Sequence, residues 1–198
     1  MEVNETNMKE ENNNLPKKIS KQINKPKNIL KEKCPKCEKE IEKNKLKEHL
    51  QSSHITEIIN NIYIGSYSNA KDEKELESNN IKYILNCASE CNNIFKDKIK
   101  YLKLEIKDQN DFPIQDFFEK GAQFIHDSLN NNDGNVLIHC MQGKSRSTTI
   151  LMAYLIKYGN EDTNSAYKII KAKRRLAMPN LGFIYKLREF EKNVGKNI

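Results

Sequence analysis

The chain has 198 residues, a net charge of +7 and a pI near 9.0, which leaves room for one medium domain and a small appendage. No apolar run approaches a membrane span and the N-terminus is polar, so neither a spanning nor a secreted protein is expected. Five cysteines, two of them in a Cys-x₂-Cys pair, point to metal and catalysis in a reducing compartment, cytosol or nucleus, in place of disulfides. The basic excess is interspersed with acids. It reads equally as a solvated lysine surface, a nucleic-acid footprint or a field for phosphorylated partners.

Residues 1–30 are rich in Asn, Lys and Glu without a sustained period, and such a stretch buries too little to repay ordering; a disordered tail is expected. Residues 31–55 carry Cys34-Pro35-Lys36-Cys37 and then His49 and His54. A knuckle holding two thiolates and a helical face presenting two imidazoles fit tetrahedral zinc, with Ile41 and Leu46 as a mini-core. The pattern is similar to a C2H2 zinc finger, although eleven residues separate Cys37 from His49 where about twelve are usual. Folding of so small a unit would be coupled to the metal. One finger reads only about three base pairs, so a protein or RNA contact is expected of it before specific DNA binding.

From residue 56 onward, strand and helix signals alternate. Strands are expected over 61–65, 81–87 and 101–107, the last with Leu102, Leu104 and Ile106 on one face. Helices are expected over 73–78, around Phe117 to Leu129, over 150–156 (apolar nearly all round and so buried) and around Ala166 to Ile170. Asn180 is placed to cap a last helix through Phe183, Leu187 and Phe190. The fold class is α/β, a mixed, partly parallel sheet between helices.

His139-Cys140-Met141-Gln142-Gly143-Lys144-Ser145-Arg146-Ser147 lies between the apolar run Val136-Leu137-Ile138 and the buried helix. A strand, a tight loop and a helix N-terminus gather backbone N–H groups into an oxyanion cradle. Its field favours Cys140 as thiolate, and Arg146 offers paired donors to phosphate oxygens. Met141 to Ser145 would line the cradle beside Arg146. A nucleophile and a phosphate clamp on one loop imply phosphoryl transfer through a covalent thiophosphate. The leaving group then needs a proton, for which Asp108 and Asp111 are the candidates. The Ser147 hydroxyl can hydrogen-bond the Cys140 sulfur and help it leave.

The loop resembles the His-Cys-x₂-Gly-x-Ser-Arg-Ser signature of cysteine-dependent dual-specificity phosphatases. The likeness extends to Tyr101 through Asp108 and Phe117-Phe118, and to Pro179-Asn180-Leu181-Gly182-Phe183, so it covers residues 56–198. It implies Asp108 as general acid and then base, a supporting role for His139 beside the nucleophile, and no catalytic cofactor. Lys144 departs from a position often apolar in that family. Cys87 ends a strand expected beside the loop strand, where some related phosphatases place a resolving cysteine; it reads either as that or as a core residue. Cys91, on a polar stretch, is given no role. The expected substrate is a phosphoprotein at phosphotyrosine and phosphoserine/threonine. The alternatives are the same chemistry on RNA 5′-triphosphate or a phosphoinositide, and a phospho-binding adaptor without turnover.

Overall fold

A computed structural model describes residues 30–194 of the chain, so the tail expected over residues 1–30 lies outside them except for Leu30. The first unit is small. Strands β1 (Lys31–Lys33) and β2 (Glu40–Glu42) pair antiparallel, and a short 3-10 turn leads into α1 (Leu46–Ser53). Between the strands the Cys34 N–H donates to Lys39 O at 2.8 Å and the Glu38 N–H to Cys34 O at 2.8 Å, which makes the knuckle. Ile41 and Leu46, expected as a mini-core, are only half-buried. The unit has no apolar interior of its own and is held by its polar cluster and by the larger body.

That body is built on a five-stranded sheet in the order β3-β4-β7-β5-β6. Its strands are β3 (Thr56–Ile59), β4 (Ile62–Ser66), β5 (Ile81–Asn86), β6 (Lys100–Lys103) and β7 (Asn135–Cys140). Only the edge strand β3 runs antiparallel to its neighbour. β3 is absent from the sequence reading; it turns back into β4 through Asn61 at φ 67°, a left-handed conformation asparagine tolerates. The central strand β7 is buried on both faces. Val136 and Ile138 join the larger core with Ile62, Ile64 and Leu85, while Leu137 joins Ile84, Ile81 and Leu76 on the other side. This is why β7 reads as a continuous apolar run.

The strand expected over 101–107 is shorter than that. After Lys103 the Leu104 N–H donates to Asn86 O at 2.7 Å and the Ile106 N–H to Leu104 O at 2.8 Å, so the chain curls out of the ladder. Leu104 and Ile106 are nevertheless fully buried; their alternation reports burial and not strand length.

The helices are α2 (Glu73–Ser78), α3 (Phe118–Asn130), α4 (Arg146–Tyr158), α5 (Thr163–Lys173) and α6 (Leu181–Val194). α4 is the central one. It packs against α3, α5 and α6 and against β7, and Ile150, Leu151, Met152, Ala153, Leu155 and Ile156 are all buried. Each such large side chain contributes roughly 1.5–3 kcal/mol of burial, so the helix that begins at the phosphate loop is among the best anchored in the fold. Asn180 caps α6, its Oδ1 accepting from the Phe183 N–H at 2.9 Å. Among the described residues no helix is long and apolar enough to cross a membrane.

His139, next to last in β7, is buried and stacks on Tyr67, with ring centroids 6.1 Å apart. Burial holds its imidazole well below the usual value, at about 4, and the nearby Arg146 charge pushes the same way. The unfolded chain therefore binds a proton near pH 6.5 that the folded chain refuses until about pH 4. Stability is full above pH 6.5 and falls between these values, by about 3 kcal/mol for this group at pH 4. Urea unfolding at pH 7 and pH 4.5 should show a smaller loss in His139→Asn than in the parent; equal losses would show that this histidine does not carry the effect.

Candidate active site

The loop from Cys140 to Arg146 hangs between the end of β7 and the start of α4, at the carboxyl end of the parallel strands, where α/β sheets bind ligands. Its backbone is turned by what its carbonyls do. Met141 O accepts from the Tyr67 N–H at 3.2 Å, Gly143 O from Arg174 Nε at 2.9 Å and Lys144 O from the Met178 N–H at 2.8 Å. A trans peptide points its C=O and the following N–H in opposite directions. Drawing these three carbonyls outward therefore turns the N–H groups of Gln142, Lys144 and Ser145 inward, and the free N–H groups of the α4 N-terminus complete an anion nest. Gly143 makes the curve, at φ 65°; a Cβ there would lie 2.3 Å from Gly65 O, so no side chain fits.

Cys140 sits at the foot of this loop, its sulfur 3.4 Å from Ser147 Oγ. His139 places Nδ1 3.4 Å from Cys140 O, with Nε2 unpartnered. The Arg146 guanidinium is bound end-on, with Nη1 and Nη2 each donating to a Glu90 carboxylate oxygen at 2.7 Å and Nη1 also reaching Ile106 O at 3.1 Å. Its Nε has no hydrogen-bond partner. The side-on edge, Nε with the second Nη2 hydrogen, is thus left for two oxygens of an oxyanion. The pairing with Arg146 holds the Glu90 carboxyl at about 2.

Asp108 lies over the loop. Its Oδ1 accepts from Ser145 Oγ at 2.7 Å and from Asn180 Nδ2 at 2.9 Å, and its Oδ2 is 3.7 Å from Arg146 Nε. Asp111, the other candidate, is exposed at the loop tip. Among the cradle residues Met141 and Gln142 are exposed, Lys144 is half-buried, and Gly143 and Ser145 are buried. Cys87 is fully buried behind the loop, its thiol pushed well up by burial and by the neighbouring Cys140. Cys91 corrects its polar surroundings in sequence: it is fully buried in the main core, its carbonyl accepting from Asn86 Nδ2 at 2.8 Å.

Two residues escape the sequence reading. Glu90 stands in the loop after β5, and a carboxylate just past the carboxyl end of a buried strand is a signal that could have found it. Arg174, near the end of α5, gave no such signal, since it is one of three successive basic residues.

A second cluster lies away from the loop. The donor atoms of Cys34, Cys37, His49 and His54 all fall within 4.8 Å of one another, with Cys34 Sγ 3.5 Å from His54 Nε2 and Cys37 Sγ 3.3 Å from His49 Nε2. His49 is on α1, but His54 lies just past its end in extended backbone, so the two imidazoles do not share a helical face as expected. The chain straightens there because Glu75 Oε1 accepts from both His54 Nδ1 and the Ile55 N–H at 3.0 Å.

The sequence profile described as dual specificity phosphatase, catalytic domain, matches residues 62–193. Dual specificity protein phosphatase 1B of Arabidopsis thaliana is 33% identical over 143 residues, 72% of this chain and 85% of that one. Dual specificity protein phosphatase 15 of Mus musculus is 36% identical over 136 residues, 69% of this chain and 57% of that one. The crystal structure of DUSP15 superposes with a TM-score of 0.64 at 30% identity, covering 73% of this chain and 97% of the other. Profile, relatives and solved structure agree with the fold: the chain belongs to the dual-specificity phosphatase family.

Proposed function

We propose that this protein phosphatase hydrolyses phosphotyrosine and phosphoserine/threonine esters through a cysteinyl-phosphate, with Cys140, Arg146, Asp108 and Ser147 as its reacting groups. The observation that carries the reading is the split use of Arg146: one edge is saturated by Glu90, and the other makes no hydrogen bond, with Asp108 Oδ2 3.7 Å from Nε. The Cys140 sulfur attacks phosphorus while loop N–H groups and the Arg146 edge hold the phosphoryl oxygens. The P–O bond breaks and the alcohol or phenol oxygen takes a proton from Asp108. Oδ1 of Asp108 already accepts two hydrogen bonds, so the proton belongs on Oδ2, the oxygen nearer Arg146. In the second step the Asp108 carboxylate takes a proton from water, the water oxygen bonds to phosphorus and the S–P bond breaks. Ser147 Oγ then donates to the departing thiolate. The names of the relatives support a phosphoprotein substrate on both residue classes.

The Cys34, Cys37, His49 and His54 cluster fits a structural zinc. Ligand atoms around tetrahedral zinc lie roughly 3.3–3.8 Å apart for bonds of about 2.0–2.3 Å, and the S···N contacts here are 3.3 and 3.5 Å. The Glu75 carboxylate on His54 Nδ1 fixes the ring so that Nε2 faces the site, the usual arrangement behind a ligating histidine.

Cys140→Ser should abolish phosphate release from matched phosphotyrosine and phosphothreonine peptides, and Asp108→Asn should slow it roughly 10²–10⁴-fold. Cys140-dependent release only from a phosphoinositide or from 5′-triphosphate RNA would overturn the substrate class, and no release from any of these would mark an adaptor. Glu90→Gln should lower kcat/KM about tenfold through loss of the charge that orients Arg146; parent-like kinetics would refute that role. Elemental analysis should find one zinc per chain, lost in Cys37→Ser; a folded parent chain purified without chelator and lacking zinc would sink the metal reading.

A further inference from the structure

The connection from α5 to α6, residues 174–180, lies along the phosphate loop and grips three successive residues of it. Arg174 Nε donates to Gly143 O at 2.9 Å, the Met178 N–H to Lys144 O at 2.8 Å, and the Asn180 N–H to Ser145 Oγ at 3.2 Å. Of the three carbonyls that orient the loop, Gly143 O alone is held by a side chain. That side chain is a fully buried guanidinium with no carboxylate on it and with Nη2 unpartnered. Burial lowers its affinity for its proton to about 10, against the pull of Cys140 and Glu75.

What fixes Arg174 from behind is the Cys/His unit. Arg174 Nη1 donates to Gln51 O at 2.8 Å, in the last turn of α1, and to Thr56 Oγ1 at 2.8 Å. The Gln51 side chain adds two more bonds to the same strap, its Nε2 to Lys173 O at 3.3 Å and its Oε1 from the Arg175 N–H at 2.9 Å. It pairs with the strap as a neighbouring backbone would. A second path leaves the same end of the unit. Asn69 Nδ2 donates to Ser53 O at 2.8 Å and to Glu75 Oε2 at 3.0 Å, its Oδ1 accepts from Ser66 N–H and Oγ, and Ser66 pairs with Cys140 across β4 and β7.

We propose that the Cys34/Cys37/His49/His54 unit is a positioning element of the phosphatase site, acting through Gln51 and Arg174 to hold the 143–144 peptide with its N–H toward the substrate phosphate. This rests on the zinc reading only for what keeps α1 in place. Its partner is the catalytic body of the same chain. Losing the Gln51 contacts frees the strap, Arg174 relaxes, and the Gly143 carbonyl is free to turn toward the anion it should avoid.

The experiment uses the full chain and orthophosphate as a competitive probe that senses the loop and no other part of a substrate. Gln51→Ala, which removes both side-chain bonds to the strap and leaves the Gln51 carbonyl on Arg174, should raise the orthophosphate Ki roughly threefold, the effect of losing exposed hydrogen bonds that hold the strap, and lower kcat/KM on a phosphopeptide by a similar factor, with zinc content and far-UV spectrum unchanged. Arg174→Lys, which keeps the charge, should fall between the parent and Arg174→Met. Stripping zinc from the parent should raise Ki as Gln51→Ala does, and stripping it from Gln51→Ala should add little. A parent-like Ki and kcat/KM in Gln51→Ala would overturn the proposal whatever the metal content. An absence of zinc from the parent would defeat the metal reading alone, because the Gln51→Ala comparison needs no ion.

Discussion

A phosphate dianion must meet N–H groups and be kept from C=O groups, yet every peptide of the loop carries both. The fold resolves this by occupying the carbonyls elsewhere. Tyr67 and Met178 take two of them with backbone N–H groups, and Arg174 takes a third with a side chain. The left-handed turn at Gly143 and the approach of Gly65 O follow from the same need, since the loop must curl tightly for successive N–H groups to converge. β4 beside β7 and the strap after α5 supply these partners, so the sheet order and the position of α6 both serve the loop.

The charges follow a related logic. Two arginines are buried near one cysteine, and they are neutralised differently. Arg146 has a carboxylate on one edge, which fixes the plane of the fork without covering the face that substrate needs. Arg174 has only neutral acceptors, an arrangement that costs more in desolvation but leaves a whole positive charge under the nest. A delocalised guanidinium suits both places better than an ammonium, being less strongly hydrated and able to donate in several fixed directions.

The parts of the site legible in sequence were those whose chemistry is local. Cys140, Arg146 and Ser147 lie on one strand-loop-helix unit, so their spacing alone announced the cradle, and the apolar run of α4 declared its burial. Asn180 as a helix cap was legible for the same reason. Glu90 and Arg174 were not, because each acts on a residue far along the chain, Glu90 on Arg146 and Arg174 on Gly143. β3 was missed because half of its residues point to solvent or polar partners, and the strand at 101–107 was overextended because Leu104 and Ile106 bury without pairing. His54 looked like part of a helix until its contact with Glu75, twenty-one residues on, set its backbone.

Asn180 also shows how two unrelated demands can meet on one side chain. Its amide oxygen caps α6 and its amide nitrogen supports Asp108. As a helix cap, asparagine, aspartate and serine are close to interchangeable. Beside a carboxylate they are not: aspartate would set like charge against Asp108 and serine lacks the second arm. The tolerance of a helix start is thereby narrowed to a single residue type, so substitution at this position would be limited by the active site rather than by the helix it begins.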